Sequence, residues 1–350
     1  MNKYKSIRLF HGKVSYLTDK KSLAVLCGLL AALSFSVLLS AGTGQLFISP
    51  VNVIKALFGI GNEMEKMVIV SFRLPRILVA MMAGIALSVA GGILQGIIRN
   101  PLASPDIIGL TGGASVAVVS FLAIFSDTNN SLTVSIEWLP IAAFAGAAIT
   151  AFVVYILAWK HGVAPIRLVL VGIGISALMQ AGTTMMMVLG PIYRASQANI
   201  WITGSVNGAT WENVNIMIPI ILVLVAITWI FARTLNVHVL GEDIAVGVGS
   251  KIQIQRLILL LIATGLTGSA IAFAGGIGFV GLMAPHMARR IVGNAFGALL
   301  PVAALIGAIL VIIADLIGRT IFAPLEVPAG VFTAAIGAPY FIYLLYKTRY

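Results

Sequence analysis

The chain carries one uninterrupted apolar run after another, beginning with Leu23 to Ala41, and most are about as long as a helix needs to cross a bilayer. Inside lipid every backbone N–H and C=O must find a partner within the protein, so such a chain folds as a bundle of helices or as a closed barrel. Barrel strands alternate in polarity over about ten residues, whereas these runs are continuous. Composition agrees: 60% of the 350 residues are hydrophobic and only 9% are charged, against roughly 25% charged in a soluble domain. The 36 Gly and 13 Pro fall among the apolar runs, where membrane helices tolerate them. The fold class is therefore an all-α membrane protein.

A window of membrane length gives ten spans, at 22–41, 74–98, 107–126, 139–159, 167–190, 214–232, 256–274, 277–292, 299–318 and 328–346. The expectation is a polytopic bundle of about ten transmembrane helices, forming one domain over residues 22–350 behind a basic tail of residues 1–21. The glycines of Ala274-Gly275-Gly276-Ile277-Gly278 separate the seventh span from the eighth, because glycine accepts positive φ. Ala41-Gly42-Thr43 keeps signal-peptide cleavage formally open, but the length of the first run favours a retained helix.

Ten spans place both termini on one side, and the basic residues say which. Sixteen of the 22 Lys and Arg fall on the side of the N-terminal tail; Lys55, Lys66, Arg73, Arg76, Arg194 and Arg319 fall on the other, where six acids balance them. Positive charge marks the cytoplasmic side, so both termini are expected in the cytoplasm of a multi-pass protein of a bacterial inner or plasma membrane. The net charge of +11 is this bias, and the basic residues form no continuous patch for nucleic acid.

Several chemistries are excluded. One cysteine, Cys27, and four scattered histidines provide neither a disulfide framework nor a clustered metal site, so no metal and no cofactor are expected. No Walker A loop occurs, so the chain is not an ATPase, and no nucleophile is placed beside a base; no catalytic residue is assigned. Gly172-Ile173-Gly174-Ile175-Ser176-Ala177 matches a dinucleotide fingerprint in form but lies inside an apolar span and reads as close helix packing. Ion-coupled carriers keep ionisable groups in the membrane. Here only Asp315 lies well within a span, four residues from Arg319, and i, i+4 pairing is the simplest account of it. Secondary transport is thus the second reading.

Three stretches outside the spans can carry structure. Residues 42–73 lie outside, with a surface helix expected over 51–59; residues 191–213 also lie outside, with Trp201 and Trp211 suited to the interface. Residues 233–255 are cytoplasmic and too short to span. Val239, Leu240, Ile244 and Val248 recur there near helical spacing, which fits equally a helix resting on lipid head groups and one docking a cytoplasmic partner.

Four motifs in order give the chain a resemblance. Arg73-Leu74-Pro75-Arg76, then Gln95 to Pro105, then Gly276 to Leu282 with Pro285-His286 and Arg289, and last Glu326-Val327-Pro328-Ala329-Gly330 leading to Gly337-Ala338-Pro339 resemble the permeases of iron-siderophore, heme and vitamin B12 ABC importers. The likeness runs from about residue 22 to the end. It implies a permease subunit that pairs with a second, identical or homologous, permease subunit, binds two cytoplasmic ATPase subunits, and receives cargo from an extracytoplasmic binding protein.

The resemblance also assigns roles. Leu240, Gly241, Glu242, Asp243, Ala245 and Gly249 are similar to the coupling helix that docks in the ATPase, with Val248-Gly249 where the family often has Leu-Gly. It assigns Arg73 and Arg76 to docking of the binding protein, where physics alone would make them head-group anchors. It places the inner gate near Asn100, Leu102, Pro165 and Ile166, and the pathway wall along Gly172, Ser176, Thr183 and Met185. Met185, Met186 and Met187 point in different directions on a helix and read as adaptable packing. His286 reads as a packing residue, and Asn129-Asn130-Ser131 is a sequon without meaning in a bacterium. A wall of small and weakly polar residues without carboxylates suits an intact chelate, expected to be a ferric siderophore; heme and vitamin B12 share its bulk.

Overall fold

The structure, a computed structural model, describes residues 4–9, 14–127 and 132–347. The sequon at 129–131 therefore lies outside the described residues, as does part of the basic tail. The rest of that tail is not featureless: β1 (Tyr4–Leu9) and β2 (Val14–Asp19) pair antiparallel, with Tyr4 opposite Asp19 and Leu9 opposite Val14. Asp19 then caps α1 (Lys20–Gly42), its carboxylate accepting from the Lys21 amide at 3.1 Å.

The external segment opens with α2 (Pro50–Leu57), capped by Ser49 and started by Pro50, which is the expected surface helix displaced by one or two residues. The short α3 (Glu63–Lys66) continues through a π-turn at Met67–Arg73 into α4 (Leu74–Ile98). After a 3-10 turn at Pro105–Ile108 come α5 (Leu110–Ile124), α6 (Leu139–Ala158) and α7 (Pro165–Leu189). They are followed by α8 (Ile192–Thr203), α9 (Trp211–Ile230), α10 (Ala232–Val239) and α11 (Glu242–Gly247). The chain ends in α12 (Ile252–Ala274), α13 (Val280–Val292), α14 (Phe296–Thr320) and α15 (Ala329–Lys347).

Each of the ten expected spans contains a helix. Among the described residues seven are long and apolar enough to cross a membrane, while α5 and α15 are shorter apolar helices. The eighth span is corrected: α13 has 13 residues, a rise of about 20 Å against a hydrocarbon core of about 30 Å. Gly275 to Phe279 replace its first turn with non-helical chain, in which Gly275 and Phe279 both have positive φ.

The bundle is organised around α4, which is buried along nearly its whole length between α9, α12, α13 and α14. Glycine makes this possible. A Cβ on Gly84 would overlap the Gly307 carbonyl of α14, and one on Gly91 would overlap the Gly281 carbonyl of α13. Helices without a hydrophobic driving force between them gain from such close backbone approach. In contrast, α7 buries only Pro165, Leu168, Gly172 and Thr183 and packs chiefly on α5 and α6.

Residues 191–213 are more than an outside loop. α8 folds back so that the Trp201 carbonyl accepts from the Gly276 amide at 3.1 Å and the Gly204 carbonyl accepts from the Gly330 amide at 3.0 Å. This segment therefore ties the break before α13 to the start of α15. Trp211 is tied to the external segment, with Nε1 donating to the Val70 carbonyl at 2.9 Å.

Candidate functional site: a cytoplasmic docking helix beside a gated path

On the cytoplasmic side Gly241, at φ +118°, turns the chain from α10 into α11, and Gly249, at φ +80°, turns it out again. Only glycine accepts those angles without strain. Between them Ile244, Val246 and Val248 are exposed, the last two at 63% and 65%, and Leu240 just before Gly241 is exposed as well. A contiguous apolar stripe of this kind is what an interaction surface requires.

Two expectations about this helix are corrected. Ala245 is 0% exposed and faces the protein itself, so it seats α11 rather than presenting it to a partner. Glu242, assigned to the docking segment, has its carboxylate taken within the chain. Arg256 Nη2 donates to Oε1 at 2.6 Å, and Arg99 Nη2 lies 3.9 Å away. Asp243 remains exposed, with no ion pair among the described residues.

Arg256 also donates to the Val163 carbonyl, and Gln253 Oε1 accepts from the Val163 amide at 3.0 Å. Val163 stands two residues before Pro165, which begins α7, and Ile166 beside it is exposed. The Asn100 side chain accepts from the Leu102 amide at 2.9 Å, closing a turn after Arg99 at φ +56°. Leu102 leads into a cavity of about 320 Å³ lined by Ser104, Asp106, Ile107, Gly278, Phe279, Leu282 and Phe341. The gate residues thus divide into two turns, one at each end of the loop-and-helix unit that precedes α7.

The wall residues divide as well. Gly172 is no lining residue: a Cβ there would meet the Ile107 carbonyl and Ile108, so it lets α7 lie against the turn at 105–108. Thr183 is buried and its hydroxyl donates to Met179 O of its own helix at 2.8 Å. Ser176 Oγ donates to the Asp106 carbonyl at 3.1 Å, and Met185 is exposed. Met186 and Met187 turn instead towards Val119, Leu122 and Ala198, which separates the three methionines as their helical positions require. Asp106, bonded through its carboxylate to Thr111 and exposed at the cavity, is a polar wall residue that sequence reasoning assigned only to the cytoplasmic charge balance.

The external arginines are held internally. Arg73 is 8% exposed, and its guanidinium donates to the carbonyls of Ala41, at 2.6 Å, and Leu46. Arg76 binds Asp315 at 2.8 Å and Glu326 at 2.9 Å. The expected Asp315–Arg319 pair exists at 3.7 Å but is the weaker one, because Arg319 turns to the Ser40 carbonyl and hydroxyl. These contacts join α1, α4, α14 and the loop before α15.

His238, near the end of α10, donates through Nε2 to Gln255 Oε1, 3.0 Å away. Burial and the neighbouring Arg256 hold its imidazole below the ordinary value, so it is neutral at pH 7.

A helical bundle of this build, with apolar helices long enough to cross the bilayer and an exposed apolar stripe at one face, is a multi-pass membrane permease. The chain belongs to the FecCD transport family, whose model matches residues 32–347. It is 58% identical to the "Probable siderophore transport system permease protein YfhA" of Bacillus subtilis over 95% of this chain and 96% of that protein. It is 45% identical to the "Achromobactin transport system permease protein CbrC" of Dickeya dadantii over 89% of this chain and 88% of the relative. Its fold matches the solved structure described as "An inward-facing conformation of a putative metal-chelate type ABC transporter", with TM-score 0.82 and 28% identity over 93% of this chain and 99% of that one.

Proposed function

We propose that this chain is the membrane-spanning subunit of an ABC importer that carries an intact ferric siderophore into the cytoplasm. Separate ATPase subunits dock on α11, an extracytoplasmic binding protein delivers the cargo, and a second permease subunit completes the path beside α7. The observation that carries the reading is the exposed apolar stripe of α11 at the cytoplasmic end of a bundle that has no nucleotide-binding motif of its own. YfhA and the other named relative, both called transport system permease proteins, support the class, and the word siderophore in YfhA's name supports the cargo.

Asp315 bears on the ion-coupled alternative. It is engaged by Arg76 and Arg319, which leaves no uncommitted carboxylate within α14 to load and release a coupling ion. The test is co-purification with uptake. Detergent-extracted permease should retain its ATPase subunits, and uptake should stop on ATP depletion while surviving collapse of the proton gradient. The opposite pattern overturns the reading.

The external docking role of Arg73 and Arg76 becomes narrower. The Arg76–Glu326 pair, with the Glu326 side chain 39% exposed, is the part of the arginine network that a binding protein can reach. The gate is proposed at Asn100, Leu102, Pro165 and Ile166, the two turns that flank the cavity and the foot of α7.

A further inference from the structure

Arg256 divides one guanidinium between two elements far apart in sequence. It lies in the second turn of α12, is 2% exposed, and reaches Glu242, the first residue of α11, with Nη2 at 2.6 Å. Its Nη1 donates to the carbonyl of Val163, 93 residues away along the chain. Gln253, one turn earlier, accepts from the amide of the same Val163. Both backbone groups of Val163 are therefore held by side chains of α12. Nε of Arg256 is buried with no hydrogen-bond partner, so these two contacts alone fix the orientation of the fork.

What lies beyond Val163 is a lightly held helix. α7 begins at Pro165, whose ring fixes the entry angle, and it buries few residues, whereas α4 and α12 are embedded in the core. A displacement of α11 that pulls on Glu242 acts on Arg256 and through it on the Val163 carbonyl. A guanidinium suits this task because it is planar, permanently charged and donates along fixed directions, and its pair with a carboxylate is short and stiff.

We propose that Arg256 is a positioning residue that transmits displacement of α11 to the turn at Val163–Ile166 and thereby sets the cytoplasmic end of α7 during transport. The proposal rests on the reading of α11 as the ATPase docking helix. Arg99, 3.9 Å from the same Glu242 oxygen, is a secondary brace from the end of α4.

The test uses the complete transporter in proteoliposomes, with Cys27→Ser and a reporter cysteine at Ile166, labelled by a soluble maleimide with and without ATP and vanadate. The labelling rate should change on ATP–vanadate trapping in the parent and in Lys251→Gln, a neighbouring exposed cation outside the ion pairs. In Arg256→Gln and Glu242→Gln the change should vanish while the complex stays assembled and ATP is still hydrolysed. Uptake per ATP should fall about tenfold or more, the scale of one charge-assisted hydrogen bond, and Arg256→Lys should restore part of it. A merely structural role would lower the amount of assembled complex without separating hydrolysis from labelling. If Arg256→Gln does not fold, Glu242→Gln, whose side chain is 43% exposed, decides. Parental labelling and uptake in these variants overturn the proposal. Val246→Glu distinguishes the two levels: if it too leaves uptake intact, the docking reading fails, and if it abolishes uptake while Arg256→Gln does not, the proposal alone fails.

Discussion

Arg76 and Asp315 lie 239 residues apart in sequence and close on each other with two hydrogen bonds to one oxygen, Nη2 at 2.8 Å and Nε at 3.0 Å, inside the external end of the bundle. Their side chains are 14% and 4% exposed. Through this pair α4 is fastened to α14, and Glu326 extends the fastening to the loop before α15. Removing one member leaves the other with only its second partner, the longer Arg319 contact for Asp315 or the half-exposed Glu326 for Arg76, a loss approaching the about 3–5 kcal/mol of a broken buried pair. Arg76→Ala or Asp315→Ala should therefore lower the melting temperature of the detergent-solubilised permease sharply, and Glu326→Gln much less, because its side chain is 39% exposed. Equal, small shifts in all three would show that the pair is not a fastening.

The glycine contacts make a second prediction. Gly91→Ala places a methyl group against the Gly281 backbone, so α4 and α13 must separate. The expected cost is about 1–3 kcal/mol, typical of overpacking a close-packed interior. Gly174→Ala, in open space on α7, is the control and should be neutral or mildly stabilising. Thermal unfolding of the two variants in the same detergent compares them directly.

On α11 the two faces should respond differently. Val246→Glu or Val248→Asp puts a charge where an apolar partner surface must cover it, and should weaken ATPase binding by about two orders of magnitude or more while leaving the permease fold intact. Ala245→Glu instead forces a charge into the seat of the helix and should destabilise the permease itself. Co-purification and melting temperature, measured together, separate the outcomes.

His238 gives the cytoplasmic end a pH dependence. Its folded pKa lies below the ordinary value of 6.5 because burial disfavours the charged ring. The stability it contributes is full above the unfolded pKa and is lost as pH falls below about 6.5 towards the folded value. Lowering the pH from 7.5 to 5.5 should lower the melting temperature more in the parent than in His238→Gln. An identical pH response in both would remove His238 from the account.

Much of the fold is legible in the sequence, because apolar length and charge bias act locally: the ten spans and a surface helix over 51–59, found at 50–57, are read without tertiary information. The half-length α13 and the fold-back of α8 are not, since both depend on Gly204, Gly275 and Gly330 meeting across the bundle. Sequence spacing paired Asp315 with Arg319 because i, i+4 neighbours are visible in a sequence; Arg76, on another helix, is not. The family resemblance places Glu242 and Ala245 on the docking surface as part of a contiguous motif. Their partners, Arg256 and the underside of α11, appear only when α12 is packed against it. Asp106 escaped notice because the 105–108 turn enters the cavity only through its packing on Gly172.

The central claim is that this permease passes an intact ferric chelate under the control of ATPase subunits bound at α11. The most direct measurement is uptake of a ferric siderophore, with iron and ligand carrying different isotopes, into proteoliposomes holding the permease, its ATPase subunits and its binding protein. Both labels should accumulate in equal amounts, only with ATP on the side of α11, and neither should accumulate with Val246→Glu. Iron entering without its ligand, or both labels entering without ATP in response to a proton gradient, would contradict the account.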